Sequence, residues 1–168
     1  MILTRKEILK EIKKHQLIIE PLDQAAIGPA SIDLTLSSRI RVFKNDIPLV
    51  SINEQIKYEE LTEPKEIKQG YDLKPKQLIL GITEEKITLP EYLCGWINSR
   101  SKFARAGLMS HITAPFICPG VSNRQVLEIY NAGPATLRLL PGAKICQIIL
   151  QECKGEARYC GIFQDQTL

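Results

Sequence analysis

Residues 125–150 read Gln125-Val126-Leu127-Glu128-Ile129-Tyr130-Asn131-Ala132-Gly133-Pro134-Ala135-Thr136-Leu137-Arg138-Leu139-Leu140-Pro141-Gly142-Ala143-Lys144-Ile145-Cys146-Gln147-Ile148-Ile149-Leu150. Three short apolar segments, 125–130, 136–140 and 144–150, are separated by Ala132-Gly133-Pro134 and Pro141-Gly142. Short apolar runs bounded by Gly and Pro are strands joined by turns. The same punctuation runs back toward the N-terminus, predicting strands at Gln77–Ile82, Cys94–Ile97 and Ile112–Ile117, with breaks at Leu89-Pro90 and Cys118-Pro119-Gly120. After Gly28-Pro29, the run Ser31-Ile32-Asp33-Leu34-Thr35-Leu36 alternates polar and apolar, the period of a half-buried strand, and Arg39–Phe43 continues it. Many short strands with a turn signal every ~8–15 residues point to an all-β sandwich or barrel-like fold.

Two helices interrupt the strands. Thr4-Arg5-Lys6-Glu7 is a capping box inside a Leu3/Ile8 hydrophobic staple, which predicts a helix from about Arg5 with Ile8, Leu9 and Ile12 buried. Its Lys6, Lys10, Lys13 and Lys14 read as a solvated face. Ser101–Ala106 has good helix formers, a serine cap in front and Gly107 as a stop. Residues 53–70, rich in Glu and Lys and carrying Pro64 and Gly70, read as an exposed connection.

With 168 residues and 19.0 kDa, a single domain over residues 1–168 is expected. The chain is 44% hydrophobic and 24% charged, with no apolar run near the ~18 residues of a membrane span, so a soluble protein is expected and a membrane partner is not. The opening MILTRKEILKEIKKH has no apolar signal region, which predicts a cytoplasmic protein. Cysteines stand at 94, 118, 146, 153 and 160 without a CxxC, and the histidines are His15 and His111, so neither a disulfide framework nor a Cys/His zinc site is expected.

The net charge of +3 is unevenly spread. Between Tyr92 and Gln151 stand six cations (Arg100, Lys102, Arg105, Arg124, Arg138, Lys144) and one acid, Glu128, so that window is +5 and the remainder −2. Asn98-Ser99-Arg100-Ser101-Lys102-Phe103-Ala104-Arg105 gathers three cations and two hydroxyls where a strand enters a helix. Such a place either binds phosphate oxygens or is a basic solvated helix. Glu128 shares one strand face with Val126 and Tyr130, while Leu127 and Ile129 share the other. It is either an ordinary surface glutamate or a partly desolvated carboxylate able to accept and return a proton. His111 reads as a structural or hydrogen-bonding residue. No GxxxxGK[ST], GxGxxG or GxSxG occurs, and the zinc-deaminase HxE…PCxxC is absent, so hydrolytic chemistry here would need its nucleophile made without protein-bound zinc. One Trp and 6% aromatics offer no stacking platform for a nucleic-acid polymer.

The ordered segments resemble the dCTP deaminase family of the trimeric dUTPase-like superfamily. Ile27-Gly28-Pro29-Ala30-Ser31-Ile32-Asp33-Leu34 is similar to its N-terminal strand motif, and Ile87-Thr88-Leu89-Pro90 through Gly95-Trp96 to the lead into its phosphate motif. Ser99-Arg100-Ser101-Lys102-Phe103-Ala104-Arg105-Ala106-Gly107-Leu108 is similar to its GRSSLARLGL block. Thr113-Ala114, Pro119-Gly120, Val126-Leu127-Glu128-Ile129-Tyr130-Asn131 and Leu140-Pro141-Gly142-Ala143-Lys144-Ile145-Cys146-Gln147 follow in order. The resemblance implies a mainly β, dUTPase-like distorted jelly-roll or β-barrel (β-clip) with a short N-terminal helix and one short internal helix. It implies zinc-independent hydrolysis of dCTP to dUTP and ammonia, magnesium carried by the substrate triphosphate, and a homotrimer with sites between subunits. By the same resemblance Glu128 is the catalytic proton carrier, helped by Ser101 and Arg105. Arg100 and Lys102 bind phosphates, and Ala114, Cys118, Val126, Leu127, Gln147 and Arg158 are further nucleotide contacts.

Several positions depart from the family pattern. Cys118 replaces the aspartate of its Asp-Pro-Gly turn, and a thiol is a poor substitute for a carboxylate that meets the sugar hydroxyl or positions a water. Lys102 replaces a serine, Val121 an aromatic, Ser99 the first glycine and Ile162 a nucleotide-binding glutamine, while Arg158-Tyr159 resembles a Lys-Tyr pair. Cys118 counts against the alternatives of a dUTPase or a bifunctional enzyme. Cys118 and Ile162 together motivate a third alternative, a nucleotide-binding homologue without catalysis.

Overall fold

The computed structural model describes residues 1–164, Gln166 and Leu168. Helix α1 (Arg5–Lys13) starts at the expected residue, but Thr4 makes no side-chain capping bond. Its first turn is tied instead through Arg5, whose backbone N–H donates to the Pro29 carbonyl at 2.7 Å and whose guanidinium donates to that of Ile27. Leu3 and Ile8 are buried as a staple requires, whereas Leu9 is exposed, contrary to the expected stripe. The helix turns Glu11 inward in its place, where the Tyr92 hydroxyl donates to it at 2.5 Å.

After α1 the chain forms β1 (Ile18–Glu20), a 3-10 turn (Gln24–Ala26), β2 (Ile32–Phe43), α2 (Tyr58–Leu61), β3 (Thr62–Glu66), β4 (Tyr71–Leu73), β5 (Leu78–Thr88) and β6 (Leu93–Ser99). There follow α3 (Ser101–Ala104), β7 (Leu108–Met109), β8 (Phe116–Ile117), β9 (Ser122–Asn131), β10 (Leu137–Leu139) and β11 (Lys144–Glu152). The main sheet runs β7-β9-β5-β2-β11-β6-β8, with β1 added to β5 and β3 to β2, while β10 pairs with β4. The pairings are antiparallel.

The 12-residue β2 belongs to two layers: residues 32–35 pair with β11, and Arg39–Phe43 pair with β3. Register shifts between Leu36 and Ile40 and between Ile82 and Lys86 bend the long strands. Bulges of this kind let one strand pass from one layer to the next, so the sheet curls on itself. Ile32, Leu34, Leu36, Ile79, Ile82, Leu127, Ile129, Ile148 and Leu150 fill the interior at 0–1% exposure. Each such burial is worth roughly 1.5–3 kcal/mol, enough in sum to hold the alternating strands in one register.

The mainly β architecture with short N-terminal and internal helices therefore stands, with three local corrections. Residues 53–70 contain α2 and β3, and β3 completes the β2 edge. The expected strand at 112–117 is confined to Phe116–Ile117, because Thr113 turns toward β9. Strand β5 continues past Ile82 through a bulge whose polar groups point inward. Thr83 Oγ1 accepts the Gln125 N–H at 2.9 Å and donates to the Glu85 carbonyl at 2.9 Å, and Glu85 accepts the Thr35 N–H at 2.8 Å. Apolar periodicity is blind to such a segment. Among the described residues no helix is long and apolar enough to cross a membrane.

Candidate active site

Strand β9 alternates along its whole length, with Asn123, Gln125, Leu127, Ile129 and Asn131 buried and the residues between them half-buried. The half-buried Val126 and Glu128 face a cleft of about 400 Å³. Ala114, Cys118 and His111 line it from the loop around β8, Leu80 from β5, and Tyr58 from α2. Leu80 pairs in register with Glu128 on one side and Arg41 on the other, so Glu128 and Leu80 line the cleft from adjacent strands of one row.

The Glu128 carboxylate is held from the 111–115 loop. The Thr113 N–H donates to Oε2 at 2.7 Å, and the Thr113 hydroxyl lies 2.9 Å from Oε1 and 2.8 Å from Oε2. The Glu128 backbone N–H donates to His111 Nδ1 at 3.3 Å. Nδ1 is therefore the acceptor in this arrangement. Thus His111 acts as a hydrogen-bonding residue, as its lack of partners in the sequence led us to expect.

The C-terminal segment closes one wall. Tyr159 N–H donates to the Pro119 carbonyl at 2.9 Å, Asn123 Nδ2 to the Phe163 carbonyl at 2.6 Å, and Gln166 Nε2 to the Arg124 carbonyl at 2.8 Å. Tyr159, Phe163 and Gln166 line the cleft, whereas Ile162 is 90% exposed. Arg158 is exposed, and its Cγ lies where a Cβ on Gly120 (φ +74°) would come within 2.9 Å, so the Pro119-Gly120 turn admits the segment only as glycine.

A second group of site residues gathers around α3. The helix is a single turn whose N-cap is Arg100 in extended conformation, with no side-chain cap bond, so the expected serine cap is absent. Gly107 ends it at φ +89°, where a Cβ would lie 2.5 Å from Gly133 Cα. Arg100 pairs with Asp33 at 2.9 Å and donates to the Lys144 carbonyl at 2.7 Å. Gln147 stands in register with both Asn98 and Asp33 and reaches the Ser99 carbonyl at 3.5 Å. Ser101, Lys102 and Arg105 are exposed.

Within one chain the named residues thus form two groups. Ala114, Cys118, Val126 and Glu128 meet in the cleft; Arg100, Ser101, Lys102, Arg105 and Gln147 stand at α3 and are not among the cleft-lining residues. Leu127 is fully buried on the opposite face of β9, so its side chain belongs to the core and only its backbone is left for a ligand. The basic window is also less positive than its count. Arg100 pairs with Asp33, Arg138 with Asp72 at 2.6 Å, and Lys144 with Asp23, all acids from the first half of the chain.

Thr113, Tyr58, Asn123 and Tyr159 escaped the sequence reading as site residues. Thr113 and Tyr159 carried a signal, each beside a residue already named, Ala114 and Arg158; Tyr58 and Asn123 reach the cleft through long-range pairing.

The curled, mainly β architecture is that of the dUTPase-like fold, with the Glu128 carboxylate facing its cleft. The profile of the dCTP deaminase-like family matches residues 2–153, and the chain belongs to that family. A protein of Persephonella marina named "dCTP deaminase, dUMP-forming" is 33% identical over 168 residues, covering 99% of this chain and 93% of the relative. One of Mycolicibacterium smegmatis with the same name is 38% identical over 152 residues, covering 89% and 80%. In fold, the chain is similar to the crystal structure of 2'-deoxycytidine 5'-triphosphate deaminase from Agrobacterium tumefaciens, with TM-score 0.70 and 22% identity over 89% of this chain. The match spans 47% of that longer chain. A Staphylococcus bacteriophage 80alpha dUTPase shares the fold at TM-score 0.52 and 13% identity, over 87% of this chain and 96% of that one.

Proposed function

We propose that this protein is an enzyme that deaminates dCTP by hydrolysis, acting in the cytoplasm as a homotrimer. The observation that carries the reading is Glu128, a carboxylate facing a cleft and held by Thr113 so that one geometry serves two proton transfers. Water adds to C4 of cytosine as Glu128 takes its proton. The tetrahedral centre then collapses as Glu128 returns that proton to the amine, so that dCTP and water become the uracil nucleotide and ammonia. Ser101 and Arg105 stabilise charge at the reacting centre, and Arg100, Lys102 and Gln147 hold the triphosphate. These groups stand apart from the Glu128 cleft in one chain, which supports a site built from two neighbouring subunits.

Magnesium enters as part of the substrate, bound by the triphosphate. The reading uses no protein-held zinc, and among the described residues no group of three or more His, Cys, Asp or Glu is gathered to hold a metal ion.

The first product is dUTP. Further hydrolysis to dUMP needs a second activated water, and Glu128 is the sole carboxylate lining the cleft among the described residues, with the Cys118 thiol in the wall. This supports release of dUTP. A second reading, dUMP as the end product, is favoured by the names of the relatives, which are dUMP-forming. Incubation with dCTP and magnesium, with nucleotides, pyrophosphate and ammonia resolved, separates the two: dUTP without pyrophosphate supports the first, dUMP with pyrophosphate the second. Glu128→Gln is expected to lower deamination by about 10²–10⁴-fold. No turnover of any cytosine nucleotide by the unmodified protein would overturn the whole reading.

A further inference from the structure

Cys94 and Cys153 lie outside the cleft and take no part in the reaction above. Cys94, in β6, stands opposite Gln151 of β11. Two residues beyond Gln151, the Cys153 N–H donates to the Tyr92 carbonyl at 2.9 Å, so the ladder runs on past the end of β11. Residues two apart on a strand share a face, which sets the two thiols diagonally across one ladder. Cys94 Sγ lies 3.5 Å from the carbonyl of Gln151, the residue two before Cys153 on the same face. Both are free thiols; Cys94 is buried and Cys153 half-buried.

We propose that Cys94 and Cys153 are a reversible redox pair, closed to a disulfide by a small oxidised disulfide such as oxidised glutathione. Cys153, the sulfur reachable from solvent, attacks the reagent as thiolate. One glutathione thiolate leaves and a mixed disulfide remains on Cys153. Cys94 then gives up its proton to solvent and attacks the Cys153 sulfur, expelling the second glutathione. The protein loses two protons and two electrons, and the reagent is reduced to two glutathione thiols.

The site sets the rates. Burial and the adjacent Cys153 push the Cys94 thiol up to about 11. Closure depends on Cys94 thiolate, so it is the slow step and quickens as pH rises toward that value. The bond ties the first residue after β11, where the segment that walls the cleft begins, to β6.

The test uses the full-length protein in buffers of graded reduced and oxidised glutathione, with acid quenching, alkylation of free thiols and peptide mapping. Expected is a Cys94–Cys153 cross-link that reverses on reduction, forms faster at pH 9 than at pH 7, and raises the unfolding temperature by several degrees. It is expected to vanish in Cys153→Ser and to persist in Cys160→Ser. A glutathione adduct on Cys153 that Cys94 never displaces, a cross-link between other cysteines, or full alkylation of Cys94 and Cys153 at every ratio would overturn the proposal. Cys153→Ser is the decisive variant because Cys94 is packed in the interior and its replacement could disturb folding.

Discussion

Thr113 engages both carboxylate oxygens of Glu128, one through its backbone N–H at 2.7 Å and both through its hydroxyl at 2.8–2.9 Å. The loop before β8 thereby sets the orientation of a side chain on β9. A hydrogen bond to a charged group contributes about 1.5–3 kcal/mol. Loss of the hydroxyl in Thr113→Val is therefore expected to lower kcat by about 10- to 100-fold, while Thr113→Ser, which keeps it, retains most of the rate. Steady-state kinetics across pH checks this. Full activity in Thr113→Val with a loss in Thr113→Ser would show that the threonine methyl, not the hydroxyl, matters.

The separation of Glu128 from Ser101 and Arg105 within one chain leads to a mixing experiment. Glu128→Gln and the double variant Ser101→Ala, Arg105→Ala are each expected to be inactive alone. Co-expressed in equal amounts, they would assemble sites in which one subunit supplies Glu128 and its neighbour the intact α3. Random assembly of a cyclic oligomer leaves about a quarter of the sites intact, so about a quarter of the unmodified activity should return. Recovery of none would mean that one chain supplies the whole site.

Leu127 and Glu128 are neighbours with opposite duties. Leu127 has 0% exposure in the interior, so Leu127→Ala is expected to cost about 2–5 kcal/mol of stability. At temperatures where the variant stays folded, KM for nucleotide should change little. Denaturant melts and kinetics together separate this from a ligand-binding side chain, which would move KM.

The bond between Tyr92 and Glu11 ties α1 to the sheet. Burial, followed by the hydrogen bond to Glu11, pushes the Tyr92 phenol up to about 12 from its ordinary value of 10.0. The folded state thus keeps a proton that the unfolded chain gives up near pH 10. This stability is fully present below pH 10 and is lost as pH rises toward 12. Burial works against ionisation of Glu11, but hydrogen bonds from Tyr92 and Lys14 outweigh it and hold the carboxyl below its usual range. Its contribution is present above the ordinary carboxylate range and is lost as pH falls through the lowered value. Tyr92→Phe is expected to lower stability at neutral pH by about 1–2 kcal/mol and to flatten the loss between pH 10 and 12. Urea melts at stepped pH measure both.

Much of the fold and part of the site were legible in the sequence. Segments bounded by Gly and Pro, such as 125–130 and 144–150, became β9 and β11 because strand periodicity and turn chemistry are local properties of a few neighbouring residues. For the same reason the alternation of β9 correctly put Val126 and Glu128 on one face and Leu127 and Ile129 on the other. The isolation of Glu128 among cations was also a property of the chain alone.

Tertiary structure decided everything that depends on register between distant strands. Only the ladder through Leu80 puts Glu128 and Arg41 in one row, and only the bend at Thr113 brings a hydroxyl to the carboxylate. The basic window turned out to be partly neutralised, because Asp23, Asp33 and Asp72 arrive from the other half of the chain. The placing of Cys94 and Cys153 on one face, too, required β6 and β11 to align. Local sequence sets which way a side chain points from its strand. What it meets there is set by long-range packing, whose energy is shared over many residues and leaves no short pattern to read.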